Sequence, residues 1–336
     1  MVKLGDVINV HYGKALKADQ RVSNGSVHVF GSSGIVGNHD KTLCSYPTII
    51  IGRKGSVGAI TWAPDGGWII DTAYYVEIKD NNKLDLRYLF YILSGIDLTK
   101  KTITTSIPGL NRDDLYDTFI KLPPFEGQKR IVDLLDKAEG IRQKREQAIK
   151  LADDFLRATF ATMYGNPITN PKKWPVHLMG EIIEFKGGNQ PPKSDFIFEP
   201  KQGYIRLVQI RDFKSDKYAT YIPQEKAKRI FEVDDVMIAR YGPPVFQILR
   251  GLSGSYNVAL MKASPKENIR KGFIFYLLQL PEYHDVVVKN SERTAGQTGV
   301  NLELLNKFNV PLPPIYYQDE ILARLARIEK FKEKIE

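Results

Sequence analysis

Basic and amide side chains beside glycines are the residues of this chain best suited to chemistry, and the chemistry they favour is hydrogen bonding to phosphates and base edges. Arginine and lysine bind phosphates or guanine edges, and asparagine and glutamine can pair with adenine. Two such loops, residues 104–111 and 294–301, hold equivalent places in the two halves of the chain. The candidate DNA contacts in the first half are Arg53, Lys54, Thr105, Ser106 and Asn111. Those in the second half are Lys186, Asn189, Gln190, Arg206, Gln209, Arg211, Arg240, Tyr241, Gln297, Thr298 and Asn301.

Several of these residues also have a purely structural interpretation. Asn111 and Asn301 can each cap a short helix, because asparagine is a favoured N-cap residue. Arg53 and Arg240 each end a strand beside a glycine, where they can contact phosphate or form a structural ion pair. The segment 186–190 can be a plain loop. The sequence leaves each of these alternatives open.

Motifs of known catalytic sites are absent from the sequence. It contains no Gly-x-x-x-x-Gly-Lys-Ser/Thr phosphate loop and no Gly-x-Gly-x-x-Gly after a strand. The glycine-rich segment 52–58 leads into a strand rather than a helix, which favours a β-turn. Asp195, Glu199 and Lys201 are too closely spaced for the cluster of a metal-dependent nuclease. The five histidines lack the spacing of metal ligands. We therefore predict neither catalysis nor metal binding.

The charge of the chain favours a polyanionic partner. Its 336 residues carry a formal net charge of +9, with a sequence pI near 9.3. The predicted central helix, residues 126–163, holds eight basic and seven acidic residues, and the tail 319–336 holds five of each. Nearly all the excess positive charge therefore lies outside the helices, on the globular segments.

Cysteine content and apolar runs bear on the compartment. No apolar run reaches the roughly 18 residues of a membrane span. The first residues lack the apolar stretch of a signal peptide. Cys44 is the single cysteine, so a disulfide framework is excluded. These features predict a soluble protein of the reducing cytoplasm.

A long internal repeat sets the organisation of the chain. Residues 104–139 recur at residues 294–329 with a constant offset of 190 and no gap. The junction Leu122-Pro123-Pro124 recurs as Leu312-Pro313-Pro314. This period is too long for a solenoid repeat. The sequence therefore predicts one domain followed by one helix, used twice.

The elements of each copy follow from apolar periodicity. The first helix, from Glu126 to about Tyr164, is proline-free and stops at Gly165-Asn166-Pro167. Its apolar stripe needs a partner helix. The second helix begins near Tyr317 and is shorter by about 17 residues. The other predicted elements are strands at 46–53, 68–76, 119–122, 204–210 and 235–242, with short helices at 86–93 and 273–278.

The two junctions resemble the specificity subunit of type I restriction-modification systems. Residues 122–131 and 312–321 are similar to that family's Pro-Leu-Pro-Pro-Leu-x-Glu-Gln-x-x-Ile signature, with Gly127 and Tyr317 in place of its Glu. Residues 186–193 are similar to the Gly-Gly-Thr-Pro-Ser element that often opens a target recognition domain. The resemblance covers essentially the whole chain.

The resemblance implies an α+β fold and a division of labour. Two pseudo-symmetric target recognition domains are joined by two long antiparallel helices, each domain reads half of a split DNA site, and the helices set the spacer. The implied boundaries are 1–122 and 166–312 for the recognition domains, 123–165 for the central helix and 313–336 for the C-terminal helix.

The resemblance also implies partners and a non-catalytic role. Two adenine-N6 methyltransferase subunits would carry S-adenosylmethionine, and restriction subunits would be driven by ATP, so the chain itself needs no cofactor. The short second helix departs from the family pattern. It allows a bundle closed by other means, weaker docking of one methyltransferase, or a half-dependent variant. The rival predictions are a site-specific endonuclease and a helical scaffold or anti-restriction decoy.

Overall fold

The computed structural model describes residues 1–103, 109–242, 244–291 and 299–335. It divides into two compact units, Met1–Gln143 and Lys144–Glu336. The division falls inside the longest helix, so each unit consists of a strand-rich body and part of a long helix.

The first unit contains eleven strands within the described residues. They are β1 Val2–Lys3, β2 Ile8–Tyr12, β3 Val27–Gly31, β4 Gly34–His39, β5 Thr48–Gly52, β6 Ile60–Ala63, β7 Trp68–Ile69, β8 Ala73–Ile78, β9 Thr102–Ile103, β10 Gly109–Leu110 and β11 Phe119–Ile120. Its helices are α1 Leu4–Val7, α2 Leu86–Ser94, α3 Arg112–Tyr116 and the start of α4 Phe125–Tyr164, with 3-10 turns at Ala18–Gln20 and Leu98–Lys101.

The second unit has a similar succession of elements, with ten strands and an additional helix, α7 Pro281–Ser291, among the described residues. Its strands are β12 Val176–Leu178, β13 Ile183–Gly187, β14 Tyr204–Val208, β15 Tyr221–Pro223, β16 Ile230–Phe231, β17 Val236–Ala239, β18 Ile248–Leu249, β19 Gly254–Tyr256, β20 Leu260–Pro265 and β21 Asn309–Pro311. Its helices are α5 Met179–Ile182, α6 Lys271–Leu277, α7 Pro281–Ser291, α8 Leu302–Asn306 and α9 Ile315–Glu333. Four 3-10 turns lie at Lys193–Asp195, Ile210–Phe213, Asp216–Tyr218 and Gln224–Lys226.

The repeat extends to the order of strands in the sheets. The main antiparallel sheet has the order β2-β8-β5-β6 in the first unit and β13-β20-β17-β18 in the second. A smaller sheet in each unit contains one parallel pair, β3 with β7 and β14 with β19. In each unit the first strand pairs with the last strand: β1 pairs with β11, and β12 pairs with β21. The predicted α+β class is confirmed.

One predicted strand, residues 68–76, was wrong. The segment forms β7 and β8, which belong to different sheets. A turn separates them, because the amide of Ala73 donates to the carbonyl of Ile70 over 3.1 Å. The carbonyl of Thr72 then accepts the amides of Arg53 and Lys54 at 2.9 and 3.1 Å. The turn cannot be recognised in the sequence, because both strands are largely buried and their residues form one nearly continuous apolar run.

A buried glutamine anchors the start of α4. The side chain of Gln128 is fully buried. Its Oε1 accepts the amide of Asp85 at 2.9 Å, and its Nε2 donates to the carbonyls of Lys83 and Pro123 at 2.8 and 2.9 Å. All three contacts are to backbone, so the glutamine fixes the helix to the strand-rich body whatever the neighbouring side chains are.

The second copy uses the same anchor. Gln318, equivalent to Gln128 at the offset of 190, is also fully buried. Its Oε1 accepts the amide of Arg270 at 2.9 Å, and its Nε2 donates to the carbonyls of Asn268 and Pro313, both at 2.8 Å. The repeated glutamine therefore performs the same structural task twice.

A guanidinium joins the short helix of the first unit to its long helix. Arg87 of α2 lies 4.9 Å from the Trp62 ring centroid and 5.1 Å from that of Tyr91. Its Nε donates to Asp136 of α4 at 3.0 Å. We call this arrangement of arginine, aromatic rings and acid the guanidinium clamp.

The second unit also has a guanidinium clamp, but its arginine follows a strand instead of lying on the short helix. Arg250, directly after β18, lies 4.0 Å from the Phe275 centroid and 5.6 Å from the Tyr276 centroid. Glu329 of α9 accepts from Arg250 and from the Tyr276 hydroxyl. The arginine thus comes from the sheet here and from the short helix in the first unit.

Within the second unit, α9 packs against the last part of α4. The Tyr317 hydroxyl donates to the carbonyl of Met163 at 3.0 Å, and the Lys332 ammonium pairs with Asp153 at 2.8 Å. Since residue numbers rise along α9 as they fall along α4, the two helices are antiparallel. Phe160 of α4 lies in the same buried cluster as the residues of α9 that face it. The antiparallel pairing is confirmed.

None of the helices within the described ranges combines the length and apolar content needed to cross a membrane.

Candidate nucleic-acid interface

Each unit has an arginine at the end of a central strand, held beside the loop that follows in the chain. Arg53 follows β5, and its carbonyl accepts the amide of Leu110 at 3.0 Å. Arg240 follows β17, and its carbonyl accepts the amide of Val300 at 3.1 Å. The two arginines therefore occupy equivalent positions, each next to the end of a candidate DNA-binding loop.

Four predicted contacts lie outside the described residues. They are Thr105, Ser106, Gln297 and Thr298. The described residue Gly109 forms a β-bridge with Lys54, and a Cβ on Gly299 would lie 2.9 Å from the Tyr241 ring. The predicted role of the four side chains stays a prediction.

In the first unit, Arg53 belongs to a series of stacked rings and guanidiniums. Its guanidinium carbon lies 5.0 Å from the ring centroid of Tyr12 and 5.7 Å from that of Tyr74. Arg112, the first residue of α3, lies 5.2 Å from Tyr12 and 5.9 Å from Tyr116. We call these five residues the arginine–tyrosine ladder.

The ladder is fixed to the backbone at several points. The Arg53 Nη1 donates to the carbonyl of Asp71 at 3.1 Å. The Tyr116 hydroxyl accepts the amide of Val10 at 3.0 Å, and the Tyr74 hydroxyl donates to the carbonyl of Leu110 at 3.0 Å. Burial, followed by the nearby Tyr12 hydroxyl, raises the pKa of Tyr74 to about 12. Tyr74 is therefore neutral at pH 7, and the charge of the ladder is that of its arginines.

The second unit keeps the arginine but changes its surroundings. Arg240 lies 5.1 Å from the ring of Tyr241, which is 40% exposed. A Cβ added at Gly187 would lie 3.0 Å from the Arg240 Nη1, so the guanidinium occupies the space beside this glycine. Gly187 pairs with Met261 across the sheet as Tyr12 pairs with Tyr74. The two units therefore present different groups at equivalent places.

The predicted segment 186–190 leaves the sheet at the end of β13. The amide of Gly188 donates to the carbonyl of Leu260 at 3.0 Å, and that of Asn189 to the carbonyl of Tyr256 at 3.1 Å. Lys186 and Gln190 are exposed, and Asn189 is half-buried. The backbone is thus held while the polar side chains are presented at the surface, which fits the predicted binding role.

The structure places both asparagines of the repeat at helix N-termini. The Asn111 Oδ1 accepts the amide of Asp113 at 3.1 Å. The Asn301 Oδ1 accepts the amides of Glu303 and Leu304 at 3.0 and 3.2 Å. The capping interpretation is confirmed for both. A contact with DNA is left to their exposed amide nitrogens and stays a prediction.

We expect replacement of Asn301 by alanine to lower the free energy of unfolding by about 1 kcal/mol, because two helix amides lose their acceptor. Replacement by serine should restore most of that loss, because serine also caps. Urea unfolding of both variants measures the difference. Equal stability of the alanine variant and the unmodified chain would contradict a capping role.

The remaining three predicted contacts lie on or just after β14. Arg206 is only 17% exposed and pairs with Asp216 at 2.7 Å, which is a structural ion pair. Gln209 precedes a 3-10 turn, and its backbone amide donates to the Asp212 carboxylate at 2.8 Å. Arg211 is exposed and lies 5.4 Å from the ring of Tyr218. Of the three, the exposed Arg211 is best placed to contact a partner.

Sequence reasoning missed Tyr12 and Arg112. A signal was present for each: Tyr12 ends a strand beside a glycine, and Arg112 directly follows a capping asparagine. Among the residues that the structure describes, no group of three or more His, Cys, Asp or Glu side chains could hold a metal ion.

Comparison with known proteins decides the family. A model described as "Type I restriction modification DNA specificity domain" matches residues 1–151 and 171–336. The chain belongs to this family. Each of the two matches to the DNA specificity domain contains one copy of the internal repeat, and the predicted resemblance is confirmed.

Relatives of this DNA specificity chain are distant. It is 22% identical over 331 residues to the type I restriction enzyme EcoBI specificity subunit of Escherichia coli, covering 87% of this chain and 69% of that subunit. The crystal structure of a type I restriction-modification S subunit from M. genitalium matches with a TM-score of 0.61 at 15% identity, covering 99% of this chain and 93% of that one. A chain from a type I R-M system studied for complex assembly matches with a TM-score of 0.55 at 20% identity, covering 99% and 90%. At these identities the solved structures support the fold.

Proposed function

We propose that this chain is the DNA-addressing subunit of a type I restriction-modification complex. Residues 1–122 and 166–312 form the two target recognition domains, and each binds one half of a bipartite site. The observation that carries the proposal is the repeated junction of Arg53 with Leu110 and of Arg240 with Val300. It supports the proposal because the backbone of an arginine bonds to the described end of the equivalent loop in each of the two matches to the DNA specificity domain.

The half-sites differ because the contact surfaces differ. The first unit presents the arginine–tyrosine ladder, and the second presents Arg240 with Tyr241 and the segment 186–190. Excess positive charge on both units supplies affinity for the phosphate backbone, and side chains at the base edges supply sequence preference. The proposed site is therefore bipartite and asymmetric.

The proposed partners are two adenine-N6 methyltransferase subunits and the restriction subunits of the complex. S-adenosylmethionine and ATP belong to those partners, and this chain is non-catalytic. Exposed apolar side chains on α4 support protein docking there: Leu134 is 69% exposed and Ile141 is 68% exposed. The long helices set the spacer between half-sites, and the reducing cytoplasm is the proposed compartment.

The proposal is tested by exchanging residues 1–122 for the equivalent domain of another specificity subunit. The chain is co-expressed with its methyltransferase subunits, and methylated adenines are mapped by methylation-sensitive sequencing. We expect the exchange to change one half-site and leave the other half and the spacer intact. The absence of any bipartite methylated motif with the unmodified chain would sink the proposal.

Experiments with the purified chain and with its methyltransferase subunits distinguish the rival functions. Metal-dependent cleavage of DNA by the purified chain alone would indicate an endonuclease. Binding of methyltransferase subunits without any methylated motif would indicate a scaffold or decoy.

A further inference from the structure

Two guanidiniums in the first unit are held at the surface by one tyrosine ring. Arg53 and Arg112 lie 5.0 and 5.2 Å from the centroid of Tyr12, and Tyr12 itself is 47% exposed. These residues come from separate parts of the chain: Tyr12 ends β2, Arg53 follows β5 and Arg112 begins α3. Their convergence is a product of the fold.

The arrangement limits the motion of both arginines. A guanidinium over an aromatic ring gains cation–π energy and loses rotamer freedom. Arg53 is further held by the carbonyl of Asp71 at 3.1 Å. Tyr12 and the carbonyl of Asp71 therefore hold the Arg53 guanidinium, and Tyr12 and Tyr116 hold that of Arg112.

Fixed geometry favours base contact over phosphate contact. Phosphate binding requires positive charge near the backbone, and mobile arginines and lysines both supply it. The planar fork of an oriented arginine matches the O6 and N7 acceptors of guanine, and this is the commonest base-specific contact in the major groove. We propose that Arg53 and Arg112, positioned by Tyr12, bind guanine in the half-site contacted by the first unit.

The second unit lacks most of this device. Gly187, Leu302 and Asn306 stand at the positions equivalent to Tyr12, Arg112 and Tyr116. Only the arginine after the central strand recurs, as Arg240. We therefore expect the guanine preference in the first half-site only. It should not depend on the bases of the second half-site.

This inference rests on the proposed function, and its test separates the two. The variants are Arg112→Gln, Arg112→Lys, Tyr12→Leu and Tyr12→Phe, each in the full chain co-expressed with its methyltransferase subunits. Lys41→Gln removes an exposed cation of the same unit and serves as the matched control. Mapping of methylated adenines gives the base preference at every position of both half-sites.

We expect the unmodified chain to require guanine at one or more positions of the first half-site. Arg112→Gln should reduce that preference roughly 5- to 150-fold, the range for loss of one bidentate contact, and leave the second half-site unchanged. Tyr12→Leu should weaken the same preference, and Tyr12→Phe should restore it because the ring is retained. Lys41→Gln should leave the motif unchanged.

Other outcomes overturn the inference. A first half-site without guanine would overturn it while leaving the bipartite function intact. Unchanged base preference in the Arg112 variants, with weaker binding and a smaller salt dependence, would indicate a phosphate contact. If Arg112→Gln prevents folding of the first unit, Arg112→Lys decides: it keeps the charge and the stem but lacks the fork, so full retention of guanine preference would overturn the inference.

Discussion

Replacing Gln128 by leucine should lower the free energy of unfolding of the first unit by about 3–5 kcal/mol. The amide side chain makes three buried hydrogen bonds to backbone groups of Asp85, Lys83 and Pro123. Leucine fills a similar volume but leaves one amide and two carbonyls unpaired, and each such group costs about 1–3 kcal/mol. The loss comes from the joint between the strand-rich body and α4, so the helix should detach early in unfolding.

Tryptophan fluorescence can report the first unit alone. The chain has three tryptophans, and only Trp174 lies in the second unit, so a Trp174→Phe background leaves two reporters, Trp62 and Trp68. In that background Gln128→Leu should shift the urea midpoint strongly. Gln143→Leu, which alters an exposed glutamine of the same helix, should change the free energy by less than about 0.5 kcal/mol. Similar midpoints for the two variants would show that the buried amide is not an anchor.

Replacing Gly188 by alanine should disrupt the second half of the interface. A Cβ at this position would lie 1.9 Å from the carbonyl oxygen of Asn257, and backbone cannot yield as a flexible side chain does. The strand end must move, which we expect to cost about 3 kcal/mol. Because Asn189 and Gln190 follow directly, base preference in the second half-site should fall with stability. Hydrogen exchange of β13 and β20, together with the methylated motif, measures both effects.

Two other glycines serve as controls for the change from glycine to alanine. Gly13 holds the equivalent place in the first unit, where a Cβ would lie 2.1 Å from the carbonyl oxygen of Ile70, so Gly13→Ala should affect the first half-site instead. Gly140 lies inside α4, and a Cβ added there would have no atom within 4 Å apart from its chain neighbours and the backbone of its own helix. Gly140→Ala should stabilise the chain by about 0.5–1 kcal/mol. Faster exchange in both units after Gly188→Ala alone would refute a local clash.

The large elements of this fold can be predicted from the sequence. The first long helix was expected from Glu126 to about Tyr164 and runs from Phe125 to Tyr164, because its periodicity and its Gly-Asn-Pro stop are local signals. The short helix at 86–93 likewise matches α2. Apolar periodicity predicts single helices and strands but not their arrangement. The internal repeat predicted that two segments with few identical residues share one topology.

Contacts between distant segments could not be predicted in this way. The arginine–tyrosine ladder joins Tyr12, Arg53 and Arg112, which are far apart in sequence and meet only because β2, β5 and α3 converge. Arg206 is a candidate DNA contact by its chemical type, and its ion pair with Asp216 is a contact that the sequence does not indicate. Its contact with DNA stays a prediction. The chemical type of a side chain shows whether it could contact DNA. Which group it actually contacts depends on tertiary packing, which the sequence does not give.

The guanidinium clamp has a consequence for recombining related chains. The arginine lies on α2 in the first unit, as Arg87, and after β18 in the second, as Arg250. The alignment of the two copies puts Trp62 opposite Arg250, and Arg87 opposite Gly272. A hybrid with the first copy before the crossover and the second copy after it inherits neither arginine. The reverse hybrid inherits both arginines, together with Asp136 and with Glu139, the equivalent of Glu329. Crossovers from the first copy into the second should therefore avoid the stretch from β6 to α2, because they leave the carboxylate of the long helix without its arginine.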